Sequence, residues 1–269
     1  MRSSTPLLLL GLASSNALKI LALHGGGNTA AEMESSLTRI RSAMGAGHTF
    51  VYGSAPYSGN RWIRDAPGGK NAGTTDPNWA QATFTYLDNL VATQGPFDAI
   101  MGYSQGGAMT LLYLSQRSAN FTFAVTFCAY LSTVHSGLMG LVDAAAPMSI
   151  PIAFYYGTSD WIITNDMTLA AAAKFSDTTM ICDGGGHAPP TDGEAVTAVV
   201  DFINNPAAAT SMASCAAGGG GGGKGGALWI ILAVVAGLAI VGGIAIYCFC
   251  CKNGGGGSAG GDIEMHGVK

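Results

Sequence analysis

The apolar positions change period repeatedly along the chain. Leu18–Leu23 (LKILAL) is a continuous apolar run of strand length. Residues 29–44 then place Met33, Leu37, Ile40 and Met44 at three- and four-residue steps, the spacing of one helical face. His48–Tyr52 (HTFVY) predicts a second strand, and residues 54–76, rich in Gly, Pro, Asn and Asp, predict a long loop. Asp76-Pro77 opens a helix over 78–93, with Asp76 as N-cap and Pro77 at the first helical position. Phe97–Gly102 (FDAIMG) is strand-like and runs into a helical pattern over 107–117. Phe121–Tyr130, Ile152–Tyr156 after Pro151, and Thr178–Cys182 complete the strands. Asp166 is expected to cap a helix over 167–174, and Thr191-x-x-Glu194 forms a capping box for a last helix over 192–204. Strand–helix alternation of this kind predicts an α/β fold, a mainly parallel sheet with helices on both faces, whose sites lie at the carboxyl ends of strands.

Beyond this pattern the chain changes character. Of its 40 glycines, 18 fall within residues 218–269, so the glycine excess belongs mainly to a separate C-terminal part. Residues 207–226 read as a Gly-rich linker, whose stretch 218–226 (GGGGGGKGG) offers no side chains to build a core. Residues 227–251 (ALWIILAVVAGLAIVGGIAIYCFCC) carry no charge over 25 positions, enough for one transmembrane helix, with Trp229 and Tyr247 near its two ends. Cys248, Cys250 and Cys251 follow as palmitoylation candidates, and 252–269 is a second Gly-rich tail of disordered composition. At the other end, Arg2, the apolar run Leu7–Ala13 and Ser15-Asn16-Ala17 make residues 1–17 a signal peptide with a small-x-small cleavage site. A cleaved signal gives a type I protein with a lumenal or extracellular domain over 18–206. Without cleavage, the chain is tail-anchored with a cytosolic domain. The sequon Asn120-Phe121-Thr122 is a glycosylation candidate compatible with the first topology.

Charge excludes one class of partner. With 12 Lys+Arg against 16 Asp+Glu, the chain lacks the basic excess of a nucleic-acid binder. Cys128, Cys182 and Cys215 form an odd set without CxxC spacing, so neither a zinc site nor a disulfide framework is indicated. Cys128 and Cys182 are expected to be buried thiols, while a Cys182–Cys215 bridge is left open.

The chemistry gathers at three turns. Gly102-Tyr103-Ser104-Gln105-Gly106 is a G-x-S-x-G pentapeptide between a predicted strand and a predicted helix, the context of a nucleophile elbow. A serine hydroxyl needs a base and an orienting acid. His187, in a glycine-rich turn after the last strand, is the expected base. His266 lies beyond the apolar span, and His135 precedes any suitable acid. Asp160, just past the IAFYY strand, is the expected acid, ahead of Asp166 and Asp183. The oxyanion hole draws one N–H from Gln105 and a second from the His24-Gly25-Gly26-Gly27 loop, with Gly26 first and Gly27 as alternative; His24 is read as structural.

Together LALHGGG, GYSQGG, GTSDWII and DGGGHAPP resemble the "family of serine hydrolases" group, small α/β-hydrolases related to the ovarian-cancer-associated serine hydrolase. The resemblance covers about residues 18–204 and all three triad positions. It implies an α/β-hydrolase fold and a carboxylic-ester hydrolase with Ser104 as nucleophile, Asp160 as acid and His187 as base, needing no metal or cofactor. The spacer, span and tail are departures from it. Acyl-thioesterases and lysophospholipases share the layout and are the alternative, together with a non-catalytic binding module on the same fold. The expected partners are a small ester and the lipid bilayer. Loop 54–76 is expected to shape the pocket mouth. Trp62 and Trp161 are read either as acyl-site walls or as packing, and Arg61 and Arg64 either as contacts for an anionic group or, ahead of that, as solvated surface.

Overall fold

Six short apolar runs become the six strands of one sheet. The computed structural model describes residues 17–69, 72–191 and 193–216. The expected signal peptide up to residue 16, the 227–251 span, the cysteines 248, 250 and 251, and the tail lie outside them. Among the described residues no helix is long and apolar enough to cross a membrane.

The strands are β1 (Lys19–Leu23), β2 (Thr49–Gly53), β3 (Ala99–Tyr103), β4 (Phe123–Phe127), β5 (Ile152–Gly157) and β6 (Thr178–Asp183). All pair in parallel, in the order β2-β1-β3-β4-β5-β6. Successive residues alternate between two cores. Leu21, Leu23, Ile100, Ala124 and Phe154 face one side. They pack against α3 (Gln81–Gln94), α4 (Gln105–Arg117) and α5 (Ser136–Ala145) through residues such as Leu87, Met109 and Leu138. Ile20, Ala22, Met101, Val125 and Ala153 face the other, against α1 (Ala30–Ser36), α2 (Thr38–Met44) and α7 (Gly193–Asn204). Burial on both faces explains why these strands read as unbroken apolar runs rather than alternating ones.

Several boundaries differ from the sequence reading. The single helix expected over 29–44 is bent at Leu37. There Ser36 Oγ donates to the Met33 carbonyl and Thr38 Oγ1 to that of Ser35, so side chains compete with the helical ladder. Its start carries an unanticipated capping box, Thr29 with Glu32. Helix α3 begins at Gln81, not 78: Asp76 Oδ1 accepts from the Asn78 amide and organises a separate turn, and the Trp79 indole donates to the Arg64 carbonyl. Helix α5 falls in a stretch the periodicity left unassigned. Helix α6 (Asn165–Ala172) has Thr164 at its N-cap. Asp166 lies in its first turn, where its charge suits the helix dipole without capping it.

The largest correction concerns residues 207–216, which composition assigns to the linker. The Met212 amide donates to the Met180 carbonyl, the Met180 amide to Ser211 Oγ, and a short helix α8 (Ala213–Ala216) packs on β6. Cys215 forms a disulfide with Cys182, so Cys182 is not a free thiol. Cys128 is one, and it is buried. Closing a loop over a sequence separation of 33 restricts the unfolded chain. Replacing both cysteines by serine is therefore expected to lower unfolding free energy by about 3–4 kcal/mol. Chemical denaturation of the oxidised protein and the double variant measures this, and equal midpoints would refute it.

Candidate active site

Strand order places the chemistry. The chain builds β2 on one side of β1 and β3–β6 on the other, so the connections after β1 and β3 diverge from adjacent strand ends, where open α/β sheets bind ligands. Leu23 pairs with Gly102 across this point, which sets the His24–Gly27 loop beside the turn that carries Ser104.

Ser104 joins β3 to α4 at φ +52°, a left-handed conformation rare for a side-chain-bearing residue and typical of strained functional turns. Its amide donates to the Phe127 carbonyl and its carbonyl accepts from Ala108, so the turn is held from both sides. Ser104 Oγ lies 2.9 Å from His187 Nε2, and His187 Nδ1 lies 2.7 Å from Asp160 Oδ2. The other Asp160 oxygen accepts from the Ile162 and Ile163 amides, both at 2.9 Å. Burial works against ionising Asp160. Hydrogen bonds from His187, Ile163 and Ile162 outweigh it and hold the carboxyl below its usual range, so it is ionised at neutral pH. With Asp160 accepting at Nδ1–H, His187 Nε2 is left to accept from the serine hydroxyl.

The two expected oxyanion donors meet at the same place. A Cβ on Gly26 would sit 3.2 Å from atoms of the Gln105 side chain, which shows how closely the two residues approach. The Gly27 amide is already committed to the Asn60 carbonyl at 3.0 Å. Those of Gly26 and Gln105 have no acceptor among the described residues. The Gln105 side chain has a different task. Its Oε1 accepts from the Trp62 amide at 2.8 Å and its Nε2 donates to the Ile63 carbonyl at 3.0 Å, clamping loop 54–76 over the turn.

The alternatives separate geometrically. Asp166 is exposed on α6, and Asp183 accepts from Tyr155 Oη and the Gly185 amide rather than from His187. His24 is buried, with Nδ1 2.7 Å from the Gly25 carbonyl and Nε2 accepting from Ala55; burial depresses its pKa, as expected of a structural histidine. His135 is buried beside Trp79, and His266 lies outside the described residues. Trp62 is fully buried, its indole donating to the His24 carbonyl, so it is packing and not a pocket wall. Trp161 is not packing: it is 83% exposed, directly after Asp160. Arg61 pairs with Asp65, and Arg64 stacks on Trp79 with its guanidinium 3.9 Å from the ring centre. Asn120 is half-buried in the turn after α4.

Three supporting residues escaped the sequence reading. Tyr103 Oη donates to the His187 carbonyl at 2.8 Å, and Tyr155 Oη, through Asp183, anchors the Gly185 end of the same loop. The Cys128 thiol lies 3.7 Å from the Ala188 carbonyl, and burial beside Asp160 pushes its pKa up to about 12. Cys128, Asp160 and His187 also bring metal-ligand atoms within 4.8 Å of one another, but both Asp160 oxygens are engaged in hydrogen bonds. The only signal for these residues was position, Tyr103 inside the pentapeptide and Cys128 and Tyr155 near strand ends.

Comparison with known proteins adds independent weight. The chain matches the family described as Serine hydrolase (FSH1) over residues 14–199. It is 30% identical to Esterase AGAP003155 of Anopheles gambiae over 215 residues, 71% of this chain and 78% of that one. It is 26% identical to Esterase GA18864 of Drosophila pseudoobscura pseudoobscura over 203 residues, 69% of this chain and 70% of that one. Its fold is similar to that of Zea mays acyl-protein thioesterase 2, with a TM-score of 0.53 at 17% identity over 72% of this chain and 95% of the other. The family match spans well over half the chain and the named relatives are esterases: the chain belongs to the serine hydrolase (FSH1) family.

Proposed function

We propose that this protein hydrolyses carboxylic esters through an acyl-enzyme on Ser104. The observation that carries the reading is the unbroken line from Ser104 Oγ through His187 to Asp160, with two uncommitted amides beside the serine. As Ser104 attacks the ester carbonyl, its proton passes to His187 Nε2, and Asp160 stabilises the resulting imidazolium. The Gly26 and Gln105 amides receive the oxyanion. Collapse of the tetrahedral intermediate expels the alcohol, which takes the proton back from His187. Water then repeats the sequence, giving the acid and free Ser104. The residues complete this cycle without a metal or cofactor. A thioester carbonyl suits the same apparatus, and comparing a matched ester and thioester separates the two substrates.

The test is a burst. Short p-nitrophenyl esters should release one equivalent of p-nitrophenol faster than steady turnover. A fluorophosphonate probe should block turnover and map by mass spectrometry to Ser104. Modification elsewhere with turnover lost overturns the assignment, and absence of both turnover and labelling favours a binding module.

The further reading is that residues 227–251 anchor the chain in a membrane with the catalytic domain lumenal or extracellular. The Cys182–Cys215 disulfide supports that side, because such bonds persist in oxidising compartments and are rare in the cytosol. In intact cells both cysteines should resist alkylation until reduced. Free thiols at both would favour the tail-anchored cytosolic topology instead.

A further inference from the structure

The exposed large hydrophobic side chains of the described residues are confined to one end of the sheet. Val134 is 42% exposed, Trp161 83%, Ile162 47% and Met167 38%. Val134 lies between β4 and α5. Trp161 and Ile162 directly follow Asp160, after β5, and Met167 is in the first turn of α6. All four therefore stand beyond the carboxyl ends of strands, the end that also carries Ser104 and His187. Isolated apolar residues on a surface need no explanation, but their restriction to the rim of the active centre does.

The path of the chain supplies the second observation. Residues 211–216 climb along β6: Met212 bonds to Met180 in mid-strand, and Cys215 is joined to Cys182, with its carbonyl accepting from Tyr156 Oη. Tyr156 and Cys182 pair one residue before β5 and β6 end. The domain thus delivers its chain at residue 216 to the same end of the sheet as the exposed rim. By sequence, ten residues, 217–226, then precede the uncharged run 227–251. Ten residues reach at most about 33–36 Å.

From the rim and the exit point together, we infer that Val134, Trp161, Ile162 and Met167 form a lipid-contacting surface that seats the mouth of the active centre on a bilayer. The substrate is then an ester whose acyl chain resides in that bilayer. This deepens the esterase reading above and rests on it and on the anchoring. Tryptophan, the most exposed member, favours the membrane–water interface, where its ring is buried and its N–H stays hydrated. The charged residues in these segments, Asp160 and Asp166, are acidic, so contact is expected with neutral or zwitterionic lipid and gains nothing from anionic headgroups.

The test uses the full chain reconstituted with phosphatidylcholine vesicles, comparing wild type with Trp161→Ser, Met167→Ser and the double variant. One substrate is a long-chain ester embedded in the vesicles, the other a short p-nitrophenyl ester in solution. Each single variant should lose turnover of the embedded ester, and the double variant at least tenfold. Turnover of the soluble ester should stay within twofold, which also reports intact folding. An unchanged ratio of embedded to soluble activity overturns the rim, as does an equal loss on both substrates. Vesicle flotation is read separately. Wild-type protein that does not float overturns the anchoring, while the activity ratio still decides the rim. Absence of all hydrolysis overturns the esterase reading that the rim depends on.

Discussion

Ser104→Ala should lower kcat/KM for a short p-nitrophenyl ester by about 10,000-fold or more while leaving the protein folded. The fold has little stake in the hydroxyl. Ser104 Oγ touches His187 and makes no helix-capping bond, and the bonds that hold the turn come from its main chain. The loss is therefore chemical. Without the oxygen there is no acyl-enzyme, and only binding and oxyanion contacts remain. His187→Ala should cost a comparable factor, because the serine then keeps its proton. Asp160→Asn should cost about 10,000-fold, because an amide no longer enforces the Nδ1–H tautomer. The three act as one device, so a Ser104→Ala/His187→Ala double variant should be no slower than Ser104→Ala alone. Steady-state rates on the four purified variants, with melting curves as the fold control, decide the matter. Additive losses in the double variant would mean that the two residues act independently, contrary to their contact.

Gly106→Ala and Gly102→Ala should each cost about 3 kcal/mol of stability, at the upper end for overpacking, and with it a melting temperature lower by roughly 6–12 °C. A Cβ on Gly106 would be driven into the main-chain carbonyls of Leu23 and His24, and one on Gly102 into the Gly106 carbonyl and Thr110 Oγ1. Main-chain atoms at the end of β1 cannot retreat without moving the oxyanion loop, so activity should fall along with stability. Gly140, exposed in α5 with open space around its Cβ position, is the control: Gly140→Ala should raise stability by up to about 1 kcal/mol, through helix propensity and a less flexible unfolded chain. Thermal melts of the three variants test this. A Gly106→Ala protein that melts with the wild type would refute the close approach of strand end and elbow.

The alternation of strands and helices, and the three turns that carry Ser104, Asp160 and His187, are legible in the order of residues alone. Strand runs and helix periods depend on neighbours within a few positions, so they are written locally. The errors of the sequence reading were local too. Side chains that bond back to the main chain, as at Ser36, Thr38 and Asp76, reset helix boundaries without disturbing the apolar pattern. Relations across long separations came only with the folded chain. It joined Cys215 to Cys182 and drew residues 207–216 out of a presumed linker. It left the Gly26 amide uncommitted by engaging that of Gly27 with Asn60, and it put Trp62 in the core and Trp161 on the rim. It also set Tyr103, Cys128 and Tyr155 around the histidine loop. A parallel sheet brings together strand ends dozens of residues apart. Which side chains meet there depends on strand order and register, and no window of sequence contains either.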